Sequence, residues 1–270
     1  MRRTLRLVAL AGLWAGTAAA QDFIKPGEET FTLNLGGIVN QFDTSLRLDG
    51  NTTRGTPINL ESNGLGKTRS SFVADATWRF TPRNRIDLQY FSTSRSGSRD
   101  YTKEISIGDT TFPIGATVDI DAKDRFLLAN YRYSFLKSDE VELAGLVGIY
   151  GGRFEFDVDA TGHEHPDPLT YRSTASTTVP LPLIGGTVDW YVNPRWKVSA
   201  GVSGLKAHIG DVDGTAIVAA ASTDYMLMRN LGIGVRYMYT DVDVDVSRSN
   251  FHGNATWRMN SVSLYAKVMF

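Results

Sequence analysis

The side chains that could do chemistry fall into two groups. His163-Glu164-His165-Pro166-Asp167 has the His-x-His spacing that could grip a metal ion, and His208 stands near Asp211 and Asp213 as an acid/base pair would. The fourth histidine is His252. Polar loop residues without chemistry are the plainer account of all four. No serine sits in a Gly-x-Ser-x-Gly elbow, and the chain has no cysteine, so neither that acyl-transfer motif nor thiol chemistry is available. The run from Asp241 to Asp245 could gather calcium, but its strict Asp-Val alternation is already explained as one face of a strand. The expectation is therefore no catalytic residue, no metal and no cofactor. The second group is Asp75, Arg79, Arg85, Asp87, Arg132, Glu142, Asp189, Lys197, Asp224, Arg236 and Lys267. All of these charges share one strand parity, and that makes them a candidate network.

The elements that must position them are short segments in which apolar residues recur at every second position, the period of a half-buried strand. Phe31, Leu33, Leu35 and Val39 begin the series, and Val262, Leu264, Ala266, Val268 and Phe270 end it. Between them, Thr81-Pro82-Arg83-Asn84, Lys137-Ser138-Asp139-Glu140, Asn193-Pro194-Arg195 and Met228-Arg229-Asn230 read as tight turns. Longer breaks alternate with these turns. Ten segments result, with eight as the alternative count, and the layout is that of an all-β, antiparallel, up-and-down transmembrane β-barrel with short periplasmic turns and longer extracellular loops. Trp78, Phe80, Tyr131, Tyr133, Phe135, Trp190, Tyr191, Trp196, Tyr225 and Phe270 lie near the tight turns, as an interfacial aromatic girdle would. A soluble calycin-like barrel, with its apolar side turned inward, explains neither the girdle nor the loop asymmetry.

Length and composition agree. The chain has 270 residues, 28 basic against 29 acidic, which removes the basic footprint of a nucleic-acid binder. Mean hydropathy is −0.18, and beyond residue 20 no apolar run approaches the roughly 20 residues of a spanning helix. Arg2, Arg3 and Arg6, the apolar stretch from Leu7 to Gly16 and the small residues before Gln21 form a secretory signal peptide over residues 1–20. The barrel is then residues 21–270, exported through the inner membrane and placed in the cell outer membrane.

With the apolar parity facing lipid, the network parity faces the lumen as six basic against five acidic groups. A ten-stranded barrel is little wider than the eight-stranded kind that side chains fill, so these charges are expected to pair and close it. A narrow polar channel is the alternative; no ring of one sign marks a selectivity filter. About five outward positions above each tight turn the apolar parity inverts, for example to Phe154, Phe156 and Val158, and to Val242, Val244 and Val246. Either the barrel continues past the outer leaflet around a small apolar core, or each strand carries a β-bulge.

The last ten residues, with Tyr265, Val268 and Phe270, resemble the C-terminal signal read by the barrel assembly machinery of bacterial outer membranes. Gly55 to Glu61, Arg95 to Arg99, Ile107 to Gly115 and Tyr131 to Phe135 resemble stretches of an uncharacterised family of proteobacterial small outer-membrane β-barrel proteins, OmpA/OmpW-like in architecture. The resemblance implies a fold and a location and brings no activity. Outer-membrane lipid, lipopolysaccharide and the assembly machinery are the partners it implies, for a monomer with a structural or surface-interaction role. A narrow porin or small-molecule carrier is the alternative. A hydrolase with its site at the extracellular rim is the second, since ten-stranded outer-membrane proteases carry Asp and His there; their paired-aspartate and Asp-x-His motifs are not recognisable in this chain.

Overall fold

A computed structural model describes residues 23–24, 27–62, 64–107, 109–162, 170–248 and 251–270. The expected signal peptide and the loop bearing His163 and His165 lie outside them. Among the described residues there are thirteen strands: β1 (Phe31–Leu48), β2 (Ile58–Asn59), β3 (Thr68–Thr81), β4 (Asn84–Asp100), β5 (Ile105–Ile107), β6 (Thr110–Phe112), β7 (Thr117–Lys137), β8 (Val141–Thr161), β9 (Thr170–Asn193), β10 (Trp196–Ile209), β11 (Val212–Met226), β12 (Leu231–Arg248) and β13 (Phe251–Met269). Ten form an antiparallel meander, and pairing of β1 with β13 from Thr32↔Met269 to Leu48↔Gly253 closes it into a barrel without an open edge. The short β2 extends the pairing of β1, and β5 and β6 form a small hairpin in the loop between β4 and β7.

The four tight turns fall where the Pro, Asn and Asp clusters place them, and the start of β1 meets the C-terminal Phe270 beside them. Thr30 and Phe31 both donate their N–H to the Phe270 carbonyl, and Phe270 N–H donates back to Phe31. Departures from regular register are confined to the turn side, at Arg79/Thr81, Ser134/Leu136 and Trp196/Lys197.

The rest of each strand keeps its parity from end to end, which decides between the two accounts of the apolar inversion. Along β8, Glu142, Leu146, Tyr150, Phe154, Phe156 and Val158 all face inward, while Val147, Ile149, Arg153, Glu155, Asp157 and Asp159 face outward. No bulge intervenes. The register of β8 with β7 is continuous from Tyr133↔Gly145 up to Thr117↔Thr161. Strands of 21 residues span about 70 Å along the chain at about 3.3 Å per residue. Tilted by about 40°, they stand roughly twice as tall as the ~25 Å lipid-facing band. The barrel therefore continues beyond its apolar belt. Its outer wall turns polar there, and its interior turns apolar.

The belt carries exposed Phe72, Tyr90, Leu127, Val147, Ile149, Ile184, Val202, Ile217, Val262 and Leu264. Trp78, Phe80, Tyr131, Tyr133, Phe135, Trp190, Trp196, Tyr225 and Phe270 are likewise exposed near the turns, as a girdle requires. Tyr191 departs from that expectation. It neighbours outward Trp190, so alternation turns it inward, where it is 4% exposed and its hydroxyl donates to Glu142 Oε2 at 2.9 Å.

Candidate functional site

The interior has three tiers, and the lowest, nearest the turns, is ionic. Arg79 donates from both terminal nitrogens to the two oxygens of Glu142, at 3.0 and 3.1 Å. Arg85 lies 2.6 Å from Asp189 and 3.5 Å from the same Glu142. Ser134 and Tyr191 also donate to Glu142, and Glu29, from the segment before β1, lies 3.9 Å from Arg79. On the opposite wall, Asp224 holds Lys267 at 2.7 Å and Lys197 at 3.4 Å, and accepts the Tyr265 hydroxyl at 2.7 Å. Gly234 is Tyr265's partner on β12; a Cβ there would lie 2.4 Å from both the Tyr265 ring and Asp224 Oδ1, so glycine lets this ring reach Asp224. Slightly higher, Arg236 meets Asp75 at 2.8 Å, and Arg132 meets Asp87, which also accepts the Thr77 hydroxyl.

Every charge that the strand parity assigns to the network is thus in an ion pair with another member. The residue spacing explains how. Each pair joins side chains of one parity from strands close together or facing across a narrow ring. Removing such charges from water is costly unless they are paired and hydrogen-bonded, and the multiple donors on Glu142, Asp224 and Asp87 meet that condition.

The middle tier is a cavity of about 200 Å³, lined by Asn34, Gln89, Asn130, Ser199 and Ser222 between the two ion-paired walls, with Leu128, Leu146 and Met238 above. Oxygens of Asn34, Asp75, Asn130 and Thr187 face this region without a protein partner. A polar space of that size can hydrate them.

The upper tier is an aromatic plug at the level where the outer wall turns polar. Phe91 stacks on Phe126 at 4.7 Å between centroids, and Trp257 lies 5.2 to 5.4 Å from Phe154, Phe126 and Phe42. Above it, the buried Leu46, Ile58, Leu60, Leu65, Ile105 and Phe112 bring loop residues and the small β2 and β5 strands into the same core. Arg95 runs through this plug with no exposed surface. Its guanidinium lies 4.0 Å from the Phe42 ring centroid and 5.0 Å from that of Trp257, donates to Glu61 at 2.7 Å and reaches Thr44 at 3.2 Å. Such stacking on aromatic faces is favourable for a desolvated cation.

Asp124 is also fully buried there, 3.9 Å from Arg95 and with no hydrogen-bond partner on either oxygen. It lies above the apolar belt, next to outward Lys123 and Arg125. Burial pushes its carboxyl up to about 8; Arg95 opposes the rise and Glu155 adds to it. The reading of the sequence did not assign Arg95, Asp124 or Glu61 to the interior network. Counting alternate positions back from Leu127 would have turned Asp124 and Phe126 inward, but Glu61 arrives from a loop and carries no periodic signal.

The rim candidates lie elsewhere. His208 Nδ1 is 2.8 Å from Asp213 Oδ1, on neighbouring positions of β10 and β11, with both side chains more than 60% exposed on the outer wall. His252 is exposed as well, and no group of three or more metal-ligating side chains occurs among the described residues. Asp241, Asp243 and Asp245 line the outer face of β12, where Asp241 pairs with Arg258 at 3.1 Å. Val268 and Phe270 lie on the lipid-facing side of β13, while Tyr265 belongs to the lumen.

No protein-family model matches the chain, and no curated protein matches it in sequence. Among solved structures, the outer-membrane protease OmpT from Escherichia coli aligns over 89% of this chain and 96% of its own, at 11% identity and a TM-score of 0.57. OprG, an outer-membrane protein from Pseudomonas aeruginosa, aligns over 89% and 95% at 12% identity with a TM-score of 0.36. Ail, the attachment invasion locus protein of Yersinia pestis, aligns over 90% and 99% at 11% identity with a TM-score of 0.28. At such identities the likeness is one of fold. The chain has the fold of the small bacterial outer-membrane β-barrel proteins.

Proposed function

We propose that this chain is a non-enzymatic barrel of the Gram-negative outer membrane, exported with a cleaved signal peptide, whose lumen is closed and whose role is structural or at the cell surface. The observation that carries the reading is double occlusion. An ion-paired tier near the turns and an aromatic plug above it both cross the lumen, and the cavity of about 200 Å³ between the plug and the turns is itself lined in part by the ion-paired side chains. A conducting pore would need a continuous polar path, and its charges would favour one sign. The hydrogen-bonded pair His208 and Asp213 projects from the outer wall, away from any enclosed cleft where water could be excluded and a substrate held.

Planar-bilayer recording tests the reading. The purified barrel is expected to give no steady current steps, and reproducible ohmic steps would refute it. Peptide or lipopolysaccharide hydrolysis in detergent, abolished by His208→Ala, would overturn the non-enzymatic part.

A further inference from the structure

Above the apolar belt, the outer wall of β7 and β8 carries charges in an ordered ladder. The rung above Leu127↔Gly151 is Arg125↔Arg153, two cations directly opposite each other on the outward face. The next rung is Lys123↔Glu155, and the two above it are Asp121↔Asp157 and Asp119↔Asp159. Like charges directly opposite each other in a sheet are destabilising. Arg153 has a carboxylate partner only along its own strand, Glu155 at 2.8 Å, and Arg125 makes no ion pair among the described residues.

The other strands lack this arrangement at the same border. Gln41 follows Val39 on β1, Ser92 follows Tyr90 on β4, Asp241 follows Tyr239 on β12, and Asn260 precedes Val262 on β13. The pair of arginines is local to one side of the barrel, at the upper edge of the exposed apolar belt.

Resting on the membrane placement proposed above, we infer that this face of β7 and β8 binds the phosphorylated glucosamine headgroup of one lipopolysaccharide molecule. Arg125 and Arg153 would share a phosphate, the planar guanidinium being suited to phosphate oxygens. Lys123 would extend the contact. The acyl chains would then run down over Leu127, Ile149 and Val147, which are about half exposed on the same face. The Asp rungs above stand level with the acidic sugars that follow the headgroup, where divalent cations can bridge two anionic surfaces.

The test is a titration of the full-length barrel in detergent with bis-phosphorylated lipid A, read by native mass spectrometry. Wild type is expected to take up one molecule at least tenfold more tightly than the Arg125→Gln/Arg153→Gln double variant. Arg258→Gln, on the opposite side of the barrel at β13, should bind as wild type does, and Arg125→Lys should fall between. Heat-modifiable gel migration checks that each variant is folded. Equal binding by the double variant would overturn the inference, as would equal uptake of dephosphorylated lipid A or of phosphatidylglycerol by wild type. A conducting barrel would sink the closed-lumen reading and leave this titration unchanged.

Discussion

Replacing Asp124 with asparagine should make the barrel more stable at alkaline pH while changing little at acidic pH. The plug holds one guanidinium, Arg95, and two carboxyl groups near it. Glu61 takes the direct contact at 2.7 Å, while Asp124 stands 3.9 Å off with both oxygens unbonded. One cation can neutralise one anion, so the second carboxyl keeps its proton. Its folded value is raised from 3.8 to about 8, so the stabilisation is complete below about pH 4 and is lost as pH rises through about 8. At 1.36 kcal/mol per pH unit, the full interval corresponds to a loss on the order of 5 kcal/mol. Asparagine has the same shape and never ionises, so Asp124→Asn should abolish that slope. Its advantage over wild type should grow to several kcal/mol by pH 8. The assay is the urea unfolding midpoint in phospholipid vesicles, followed by tryptophan fluorescence between pH 4 and 9. A wild-type midpoint that stays flat from pH 5 to 8, or an asparagine variant with the same pH dependence as wild type, would refute the reasoning.

Other perturbations bear on separate parts of the molecule. Glu142→Ala would leave Arg79 with only the more distant Glu29 and Arg85 with Asp189 alone, and should cost about 3–5 kcal/mol in unfolding measurements, well beyond an average substitution. Truncating Trp257 to alanine removes the ring that touches Phe42, Phe126 and Phe154, and should cost about 3–5 kcal/mol in the same assay. Asp109 accepts the backbone N–H groups of Asn51, Thr52 and Thr53, which hold its carboxyl down at about 2 and tie the loop after β1 to the β5-β6 hairpin. Asp109→Ala should speed protease cleavage within residues 49–56, and acidification should release the loop in the wild-type chain only as pH falls through about 2.

Much of this was legible in the sequence because a closed barrel obeys one rule everywhere: alternate residues face opposite sides. That rule located the ten segments, the four turns and the charges that pair in the lumen, and it predicted an interior that turns apolar where the wall turns polar. Where the reading of alternation lapsed, it missed. Tyr191 sits among the aromatic residues of the turn side, although outward Trp190 already fixes its side chain inward. Asp124 and Arg125 look like surface charge when read together, yet they point in opposite directions. Arg95 lies among serines and glycine with no apolar alternation to orient it. Glu61, Glu29 and the β5-β6 hairpin reach their places through loops and the leading segment, whose course no periodicity encodes.

The absence of cysteine gives the closed lumen its most direct test. A Ser199→Cys variant places one thiol on the middle chamber, and Ser96→Cys places one on the exposed outer wall of β4 as a control. In proteoliposomes treated with a small charged thiol reagent on both sides, the account predicts rapid labelling at residue 96 and none at residue 199 until the barrel is unfolded. Labelling of residue 199 in the folded barrel at a rate comparable to residue 96 would contradict it.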